Sequence, residues 1–151
     1  MTEPLRVLIV DDEPLARQAL RLLLAADPEV TIVGECSGVD GAATVEIARP
    51  EILLLDIRMP EVDGFDLLEQ IGIEAAPVMV FVTAHGDHAL RAFDVHALDY
   101  VLKPVDDARF AAAVARAKAQ ARLRRAGDPS DPRLGALLRE HSRATRATAP
   151  V

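Results

Sequence analysis

The chain has few of the residues that mark several large classes of protein. Its 151 residues include one cysteine (Cys36), no tryptophan, and only 3% aromatic side chains. A single cysteine cannot form an internal disulfide, and no histidine and cysteine spacing indicates a structural zinc site. No apolar run approaches the roughly 20 residues of a membrane span, and no basic-then-apolar leader indicates export. These absences favour a cytoplasmic protein with one mostly aliphatic core and no membrane partner.

The charge is unevenly distributed. The net charge is −7, yet residues 106–151 carry 10 positive and 5 negative side chains, so the first 105 residues carry −12. An acidic body of this kind argues against nucleic-acid binding by that part of the chain. The basic part fits a solvated helix with cations near its C-terminal end, and contact with an acidic partner or nucleic acid stays open.

Short apolar runs alternate with helical patterns five times. The runs are Leu5–Val10, 30–36, 52–55, Val78–Thr83 and 98–103. The last helical pattern starts at Asp106, a good N-cap, and stops before Gly127. Five such units predict an α/β fold in which helices cover both faces of a doubly wound parallel sheet. The first, third and fourth runs are almost wholly apolar, as central strands of such a sheet are.

The first helical pattern begins at Pro14, which suits a first helical turn. The apolar residues that the spacing places on one face, and that we expect to pack inward, are Leu15, Ala19, Leu22, Leu23 and Ala26.

Carboxylates, a hydroxyl and an amine stand where the predicted strands end. Asp11 and Asp12 follow the first strand, Asp56 the third, Thr83 closes the fourth and Lys103 the fifth. Ligands of open parallel sheets bind beyond these strand ends, near the point where the strand order reverses. Three close carboxylates repel one another, and a hard divalent cation such as Mg²⁺ relieves this. The set suits phosphoryl transfer to a carboxylate.

Other polar residues have simpler interpretations. An isolated aspartate near a strand or helix end is usually a cap or turn former, and Asp63, Asp66, Asp87 and Asp99 are assigned to caps and exposed positions. The spacing of His85, His88 and His96 matches no metal or phosphotransfer site, so surface positions are expected for them.

Four motifs together resemble the receiver domain of bacterial two-component response regulators. They are VDDEP, LLLDIRMPEVDGFDLL, VTAH and YVLKP, and the resemblance covers roughly residues 5–125. It implies a flavodoxin-like fold with five parallel strands in the order 2-1-3-4-5. It also implies a signalling domain that receives a phosphoryl group from a sensor histidine kinase and catalyses only its own phosphorylation and dephosphorylation.

The resemblance assigns a role to each residue at the strand ends. Asp56 would accept the phosphoryl group, and Lys103 would bind it. Asp11, Asp12 and Asp56 would hold Mg²⁺, with the backbone carbonyl of Arg58 as a further ligand.

The resemblance also implies a way for the signal to leave. Thr83 would be the switch hydroxyl and Tyr100 the switch aromatic, while the bond Lys103–Pro104 is typically cis in this family. Phosphorylation would alter the surface of the fourth helix, fifth strand and fifth helix, where homodimerisation is expected.

The stretch GDHALRAFDVHALDYVLKP looks like receivers of the LytR/AlgR class, whose output is a LytTR DNA-binding domain. We therefore expect a receiver in residues 1–126 and a linker or tail in residues 127–151, where GDPSDP has a linker composition. DNA would be bound only through an output domain absent from these 151 residues. A stand-alone receiver and a phosphate-independent, receiver-like interaction module are the alternatives.

Two other classes of protein fit this sequence less well. Haloacid dehalogenase-like phosphohydrolases place a second aspartate two residues after the nucleophile, where this chain has Arg58. A nucleotide-binding Rossmann module needs a glycine-rich first turn, and the sequence VDDEPLA provides none.

Overall fold

The computed structural model describes residues 3–72 and 76–127, without the side chains of residues 88–90 and 93. The chain divides into two units, Met1–Ala121 and Arg122–Val151, and the fold below is that of the first. Its strands are β1 (Leu5–Val10), β2 (Val30–Cys36), β3 (Ile52–Leu55), β4 (Val78–Thr83) and β5 (Asp99–Leu102). The helices are α1 (Pro14–Leu24), α2 (Gly38–Ala48), α3 (Gly64–Ile71), α4 (Ala89–Asp94) and α5 (Asp107–Ala126), which continues into the second unit.

The five strands form one parallel sheet in the order β2-β1-β3-β4-β5, which confirms the predicted flavodoxin-like topology. The chain order reverses between β1 and β3, which are direct neighbours. Val10 pairs with Leu55, so the carboxyl ends of β1 and β3 lie level with one another. Leu55 pairs with Phe81, so β4 runs two residues further, to Thr83, at the same edge. Residues that follow these strands therefore emerge side by side at one edge of the sheet.

Strand β3 is buried on both of its faces. Ile52 and Leu54 belong to one hydrophobic cluster, and Leu53 and Leu55 belong to the other. Successive side chains of a strand point to opposite faces, so a strand between two helical layers must be apolar at every position. This explains the unbroken run ILLL.

The residues of helix α1 that pack toward the sheet differ from most of those that the spacing predicted. Leu20 and Leu24 are 3% and 4% exposed, whereas Leu15 and Leu22 are 78% and 66% exposed. The predicted face was therefore wrong for four of its five residues, Leu15, Ala19, Leu22 and Ala26, whereas Leu23 does pack against the core. The helix carries five leucines distributed around its circumference, so their periodicity does not select one face.

Helix α5 packs on the sheet through small residues. Ala113, Ala117 and Ala121 recur every four residues and are almost fully buried, which lets the helix backbone approach the sheet closely. The side chain of Asp106 accepts the backbone N–H of Arg109 at 2.9 Å, so the predicted N-cap is confirmed. Of the helices within residues 3–72 and 76–127, none has the length and apolar character needed to cross a membrane.

Candidate functional site

The three predicted carboxylates converge at the edge of the sheet. One side-chain oxygen from each of Asp11, Asp12 and Asp56 lies within 4.8 Å of the other two. Asp11 and Asp56 are only 2% and 6% exposed, while Asp12 is half-buried. Burial weakens hydration of these charges and sharpens their repulsion, so the site requires positive charge from elsewhere.

Lys103 supplies part of that charge. Its Nζ lies 2.7 Å from Oδ2 of Asp11 and 3.3 Å from Oδ2 of Asp56, so it bridges the ends of β1 and β3 from the end of β5. Burial by itself lowers the pKa of Lys103, but the two carboxylates outweigh burial and raise that pKa above its ordinary value. The lysine is therefore a firmly charged ammonium beside the carboxylates of Asp11 and Asp56. The Lys103–Pro104 bond is cis, as the resemblance implied.

Asp56 is mounted rigidly. Its backbone N–H donates to the carbonyl of Val10 at 3.0 Å, and its Oδ1 accepts the backbone N–H of Ile57 at 2.7 Å. Because Oδ1 is engaged in this way, Oδ2 is the oxygen that faces Lys103. A carboxylate held in one orientation presents one defined oxygen for attack.

Gly64 is a site-shaping residue that the sequence reasoning missed. A Cβ atom there would lie 2.6 Å from the backbone oxygen of Asp56 and 3.1 Å from Cα of Ile57. The N–H of Gly64 donates to the carbonyl of Ile57 at 2.7 Å, which closes the loop after β3. Asp63 caps the helix that starts at Gly64, in a capping box with Asp66, as assigned from the sequence. The Asp-Gly pair after an apolar strand was the available clue.

Thr83 and Tyr100 meet at one residue, His85. Thr83 is fully buried, and its Oγ1 accepts the backbone N–H of His85 at 3.4 Å. The hydroxyl of Tyr100 donates to the backbone carbonyl of the same residue. The ring of Phe81 lies 6.2 Å from that of Tyr100 and 5.2 Å from that of Phe65, so an aromatic row runs from β5 to α3. No pattern in the sequence indicates that the backbone of His85 joins the two predicted switch residues.

Asp99 is not the exposed residue that was expected. Its side chain is 7% exposed and forms ion pairs with Arg109 and Arg116 of α5. The hydrogen bond from Arg109 is the main reason that the pKa of Asp99 lies below its ordinary value, with Arg116 contributing less. This ion-pair cluster ties β5 to α5. Arg58, in contrast, is exposed, and its part as a backbone ligand stays a prediction.

The donor set fits a magnesium ion. Mg²⁺ prefers oxygen ligands and usually takes one or two protein carboxylates while retaining water molecules. The Asp11, Asp12 and Asp56 carboxylates provide such oxygens in one place, and one lysine offsets a third of their formal charge when all three are ionised. A divalent cation would balance the remaining two charges.

The family model for the response regulator receiver domain matches residues 7–115. The match covers β1 through the first part of α5 and contains each of the predicted site residues. The transcriptional regulatory protein BtsR of Escherichia coli (strain K12) is 47% identical over 113 residues, which are 74% of this chain and 47% of that protein. The chain therefore spans about half the length of the curated relatives it matches.

Solved receiver structures resemble the fold closely. The response regulatory domain of mrkE from Klebsiella pneumoniae is 32% identical with a TM-score of 0.72, covering 79% of this chain and 99% of that one. The signal receiver domain of a Luxo repressor protein from Vibrio parahaemolyticus is 27% identical with a TM-score of 0.73, covering 82% and 95%. Sequence match, topology and strand-end chemistry agree, and the chain belongs to the response regulator receiver domain family of two-component signalling.

Proposed function

We propose that Asp56 accepts a phosphoryl group from the phosphohistidine of a sensor histidine kinase in the presence of Mg²⁺. The observation that carries the proposal is the convergence of Asp11, Asp12 and Asp56 within 4.8 Å, with Lys103 between two of them. Asp56 is the member of the set that stands at the centre of the sheet, after a strand buried on both faces.

The proposed transfer forms one bond and breaks one. An oxygen of Asp56 attacks phosphorus, the new P–O bond forms, and the P–N bond to the kinase imidazole breaks with its electron pair leaving on nitrogen. The Lys103 ammonium neutralises charge on the transferred oxygens. The fixed orientation of the Asp56 carboxylate limits the directions from which its oxygen can attack phosphorus to the productive one. Mg²⁺, held by Asp11, Asp12, Asp56 and the Arg58 carbonyl, would supply further positive charge for those oxygens. Later attack by water on the aspartyl phosphate releases phosphate and restores Asp56.

The chain acts in this proposal as a signalling domain and catalyses only its own phosphorylation and dephosphorylation. A phosphoryl group on Asp56 adds charge and acceptor oxygens. The Thr83 hydroxyl, which accepts the N–H of His85 at 3.4 Å, turns to donate to the phosphoryl group. Loss of that contact frees the His85 segment, and Tyr100 follows because its hydroxyl bonds the same residue. The result is a population shift between two packings.

Intact-mass spectrometry tests the proposal directly. Wild-type protein and Asp56→Asn are incubated with acetyl phosphate, each with and without Mg²⁺. We expect one phosphoryl adduct that requires Mg²⁺ and is lost in Asp56→Asn, because the amide is a far weaker nucleophile than the carboxylate. Asp66→Asn is the matched control, since this aspartate lies in the α3 capping box, and it should retain the adduct.

An adduct that survives in Asp56→Asn would assign the acceptor to another residue. No adduct under any condition would favour the alternative of a phosphate-independent, receiver-like interaction module.

The output proposed for the complete regulator is transcriptional. The curated relatives include transcriptional regulatory proteins about twice as long as the segment that matches. We propose that residues 1–126 form the receiver and that DNA is bound by a LytTR-type output domain. Residues 127–151, which lie almost entirely outside the described residues, would act as linker or tail. Phosphorylation-dependent DNA binding by the complete regulator, lost when the output domain is removed, would support this division. A stand-alone receiver is the alternative.

The surface of α4, β5 and α5 is the proposed output and homodimer face. It combines the Asp99 ion-pair cluster with Tyr100, which a change at the phosphorylation site would reach through Thr83 and His85. Sizing the protein with and without beryllofluoride, a phosphoryl mimic, should reveal a dimer only with the mimic. An unchanged monomer would contradict the dimer.

A further inference from the structure

Arg17 of α1 contacts the acidic loop that follows β1. Its Nη1 donates to the backbone carbonyl of Asp11 at 2.6 Å. Its Nε lies 3.7 Å from Oε1 of Glu35 in β2, which holds the guanidinium from the other side. Both side chains are about four-fifths buried, so the arrangement is sheltered from water and defined in direction.

The backbone carbonyl that Arg17 binds lies between the two residues of the acidic pair, Asp11 and Asp12. It belongs to the peptide unit that joins Asp11 to Asp12, so fixing its direction fixes how both residues leave the strand. The N–H of Asp11 donates to the carbonyl of Cys36 at 2.9 Å, so the backbone at Asp11 is held on both sides. A carbonyl fixed by a charged donor forms one of the stronger hydrogen bonds in proteins.

The carboxylate of Asp11 is oriented within the same frame. Its Oδ1 accepts the backbone N–H of Glu13 at 3.0 Å, while its Oδ2 accepts Nζ of Lys103 at 2.7 Å. Rotation of the peptide between Asp11 and Asp12 would displace the Glu13 N–H from Oδ1. The Glu13 amide therefore reports on the placement that Arg17 imposes.

We propose that Arg17 is a positioning residue for the acidic pair, acting through the Asp11 carbonyl to pre-organise the carboxylates for a divalent cation. The inference rests on the proposed function, because the cation is the one assigned to Asp11, Asp12 and Asp56. Groups that orient metal ligands from outside contribute to metal affinity much as the ligands do.

Arg21 provides a matched control. It lies one helical turn after Arg17 and pairs with the same carboxylate, with Nη1 2.6 Å from Oε2 of Glu35. Within residues 3–72 and 76–127, its guanidinium contacts Glu35 and does not reach Asp11. Removing Arg21 takes away one guanidinium and one ion pair of Glu35 but leaves the Asp11 carbonyl bonded.

Isothermal titration calorimetry with MgCl₂ compares wild type, Arg17→Met and Arg21→Met. We expect Arg17→Met to raise the Kd for Mg²⁺ about tenfold, as changes to outer-shell partners do. Arg21→Met should stay within about threefold of wild type, since exposed ion pairs contribute little. Thermal melting of all three proteins separates this effect from a loss of stability.

Amide hydrogen exchange gives a second readout that needs neither metal nor phosphodonor. In metal-free protein, the Glu13 amide should exchange severalfold faster in Arg17→Met than in Arg21→Met, because the hydrogen bond to Oδ1 of Asp11 is weakened. Arg17→Lys keeps the charge but offers no planar fork to reach both Asp11 and Glu35, so it should restore Mg²⁺ affinity only in part.

Two results would overturn the inference. If Arg17→Met matched Arg21→Met in both Kd and Glu13 exchange, whatever its melting temperature, Arg17 would have only a structural role. If Arg17→Lys restored wild-type affinity completely, charge and not placement would be responsible. Failure of the wild type to bind Mg²⁺ would contradict the proposed function instead, and Glu13 exchange would still decide whether Arg17 positions the loop.

Discussion

The strand-end edge of the sheet has two halves that are held very differently. At the ends of β1 and β3, Asp11 and Asp56 each have a backbone N–H bonded to a neighbouring strand, a carboxylate oxygen bonded to a backbone N–H, and Lys103 between them. On the other side, β4 leads into short helical segments. Helix α4 has only six residues and is preceded by a single 3-10 turn, Gly86–His88.

The switch residues in that second half both bond His85, whose neighbours Ala84, Gly86 and Asp87 are exposed. One backbone group of His85 meets Thr83 and another meets Tyr100, and β5 itself is half-exposed at Leu102. Segments with few buried contacts open and rearrange at low cost in free energy. The difference teaches that the half proposed for chemistry is fixed, while the half proposed for output is left adjustable.

The largest expected effect comes from disturbing the fixed half. Gly64→Ala would place a Cβ atom 2.6 Å from the backbone oxygen of Asp56, and the neighbouring atoms are backbone that cannot move aside cheaply. We expect a loss of about 2–3 kcal/mol in the free energy of unfolding, measured by urea denaturation. The phosphoryl adduct should form more slowly, because the loop that carries Asp56 must shift.

Gly86→Ala is the control in the adjustable half. Among the described residues, a Cβ atom there would meet the Leu102 methyl groups, at 3.5 and 3.7 Å, which are ordinary contacts. Equal losses of stability in the two variants would remove the distinction between the halves.

A smaller effect should follow from Thr83→Ala, which leaves the fixed half intact. The variant should still form the adduct, and its stability should fall by about 1 kcal/mol for the lost buried hydroxyl bond. The response should be lost: because Tyr100 is the sole tyrosine, its ring NMR signals are easily assigned, and beryllofluoride should shift them in wild type but much less in the variant.

A shift of the Tyr100 ring signals in Thr83→Ala as large as in wild type would show that the two residues are not coupled through His85.

The smallest effect concerns the ion-pair cluster on the output face. The pKa of Asp99 is lowered in the folded state, so its contribution to stability is present above its ordinary value of 3.8 and is lost as pH falls through the lower folded value. Asp99→Asn should therefore cost roughly 0.5–1 kcal/mol at neutral pH. Urea denaturation of both proteins from neutral pH to below 3.8 should show the difference shrinking at the acid end. A difference that grows on acidification would contradict the lowered pKa.

Much of the fold could be predicted because local and global requirements coincide. The runs Leu5–Val10, Ile52–Leu55 and Val78–Thr83 are strands with those bounds, since doubly covered strands must be apolar throughout. Aspartates at the ends of adjacent parallel strands had to lie together, and Asp11, Asp12 and Asp56 do. Their chemical roles stay predictions, as do the boundaries at residues 126 and 127.

What could not be predicted depends on three-dimensional neighbours. The leucines of α1 outnumber the positions on one face, so only packing decides that Leu20 turns inward and Leu22 outward. Asp99 is enclosed by two arginines of the next helix, 10 and 17 residues later in the sequence. Hydrogen bonds to backbone groups, such as the His85 carbonyl, cannot be predicted from the pattern of side chains along the sequence.

The alternation of β3 between two hydrophobic clusters bears on how the chain tolerates change. Substituting one aliphatic residue for another in Ile52–Leu55 costs packing energy but keeps each side chain on its own side. Inserting or deleting one residue would exchange the two sides and carry Asp56 about 3.3 Å along the strand direction. In engineered variants and in evolution alike, the aliphatic residues of this strand can therefore be exchanged for one another. Its length cannot change, because the length sets the position of the carboxylate at its end.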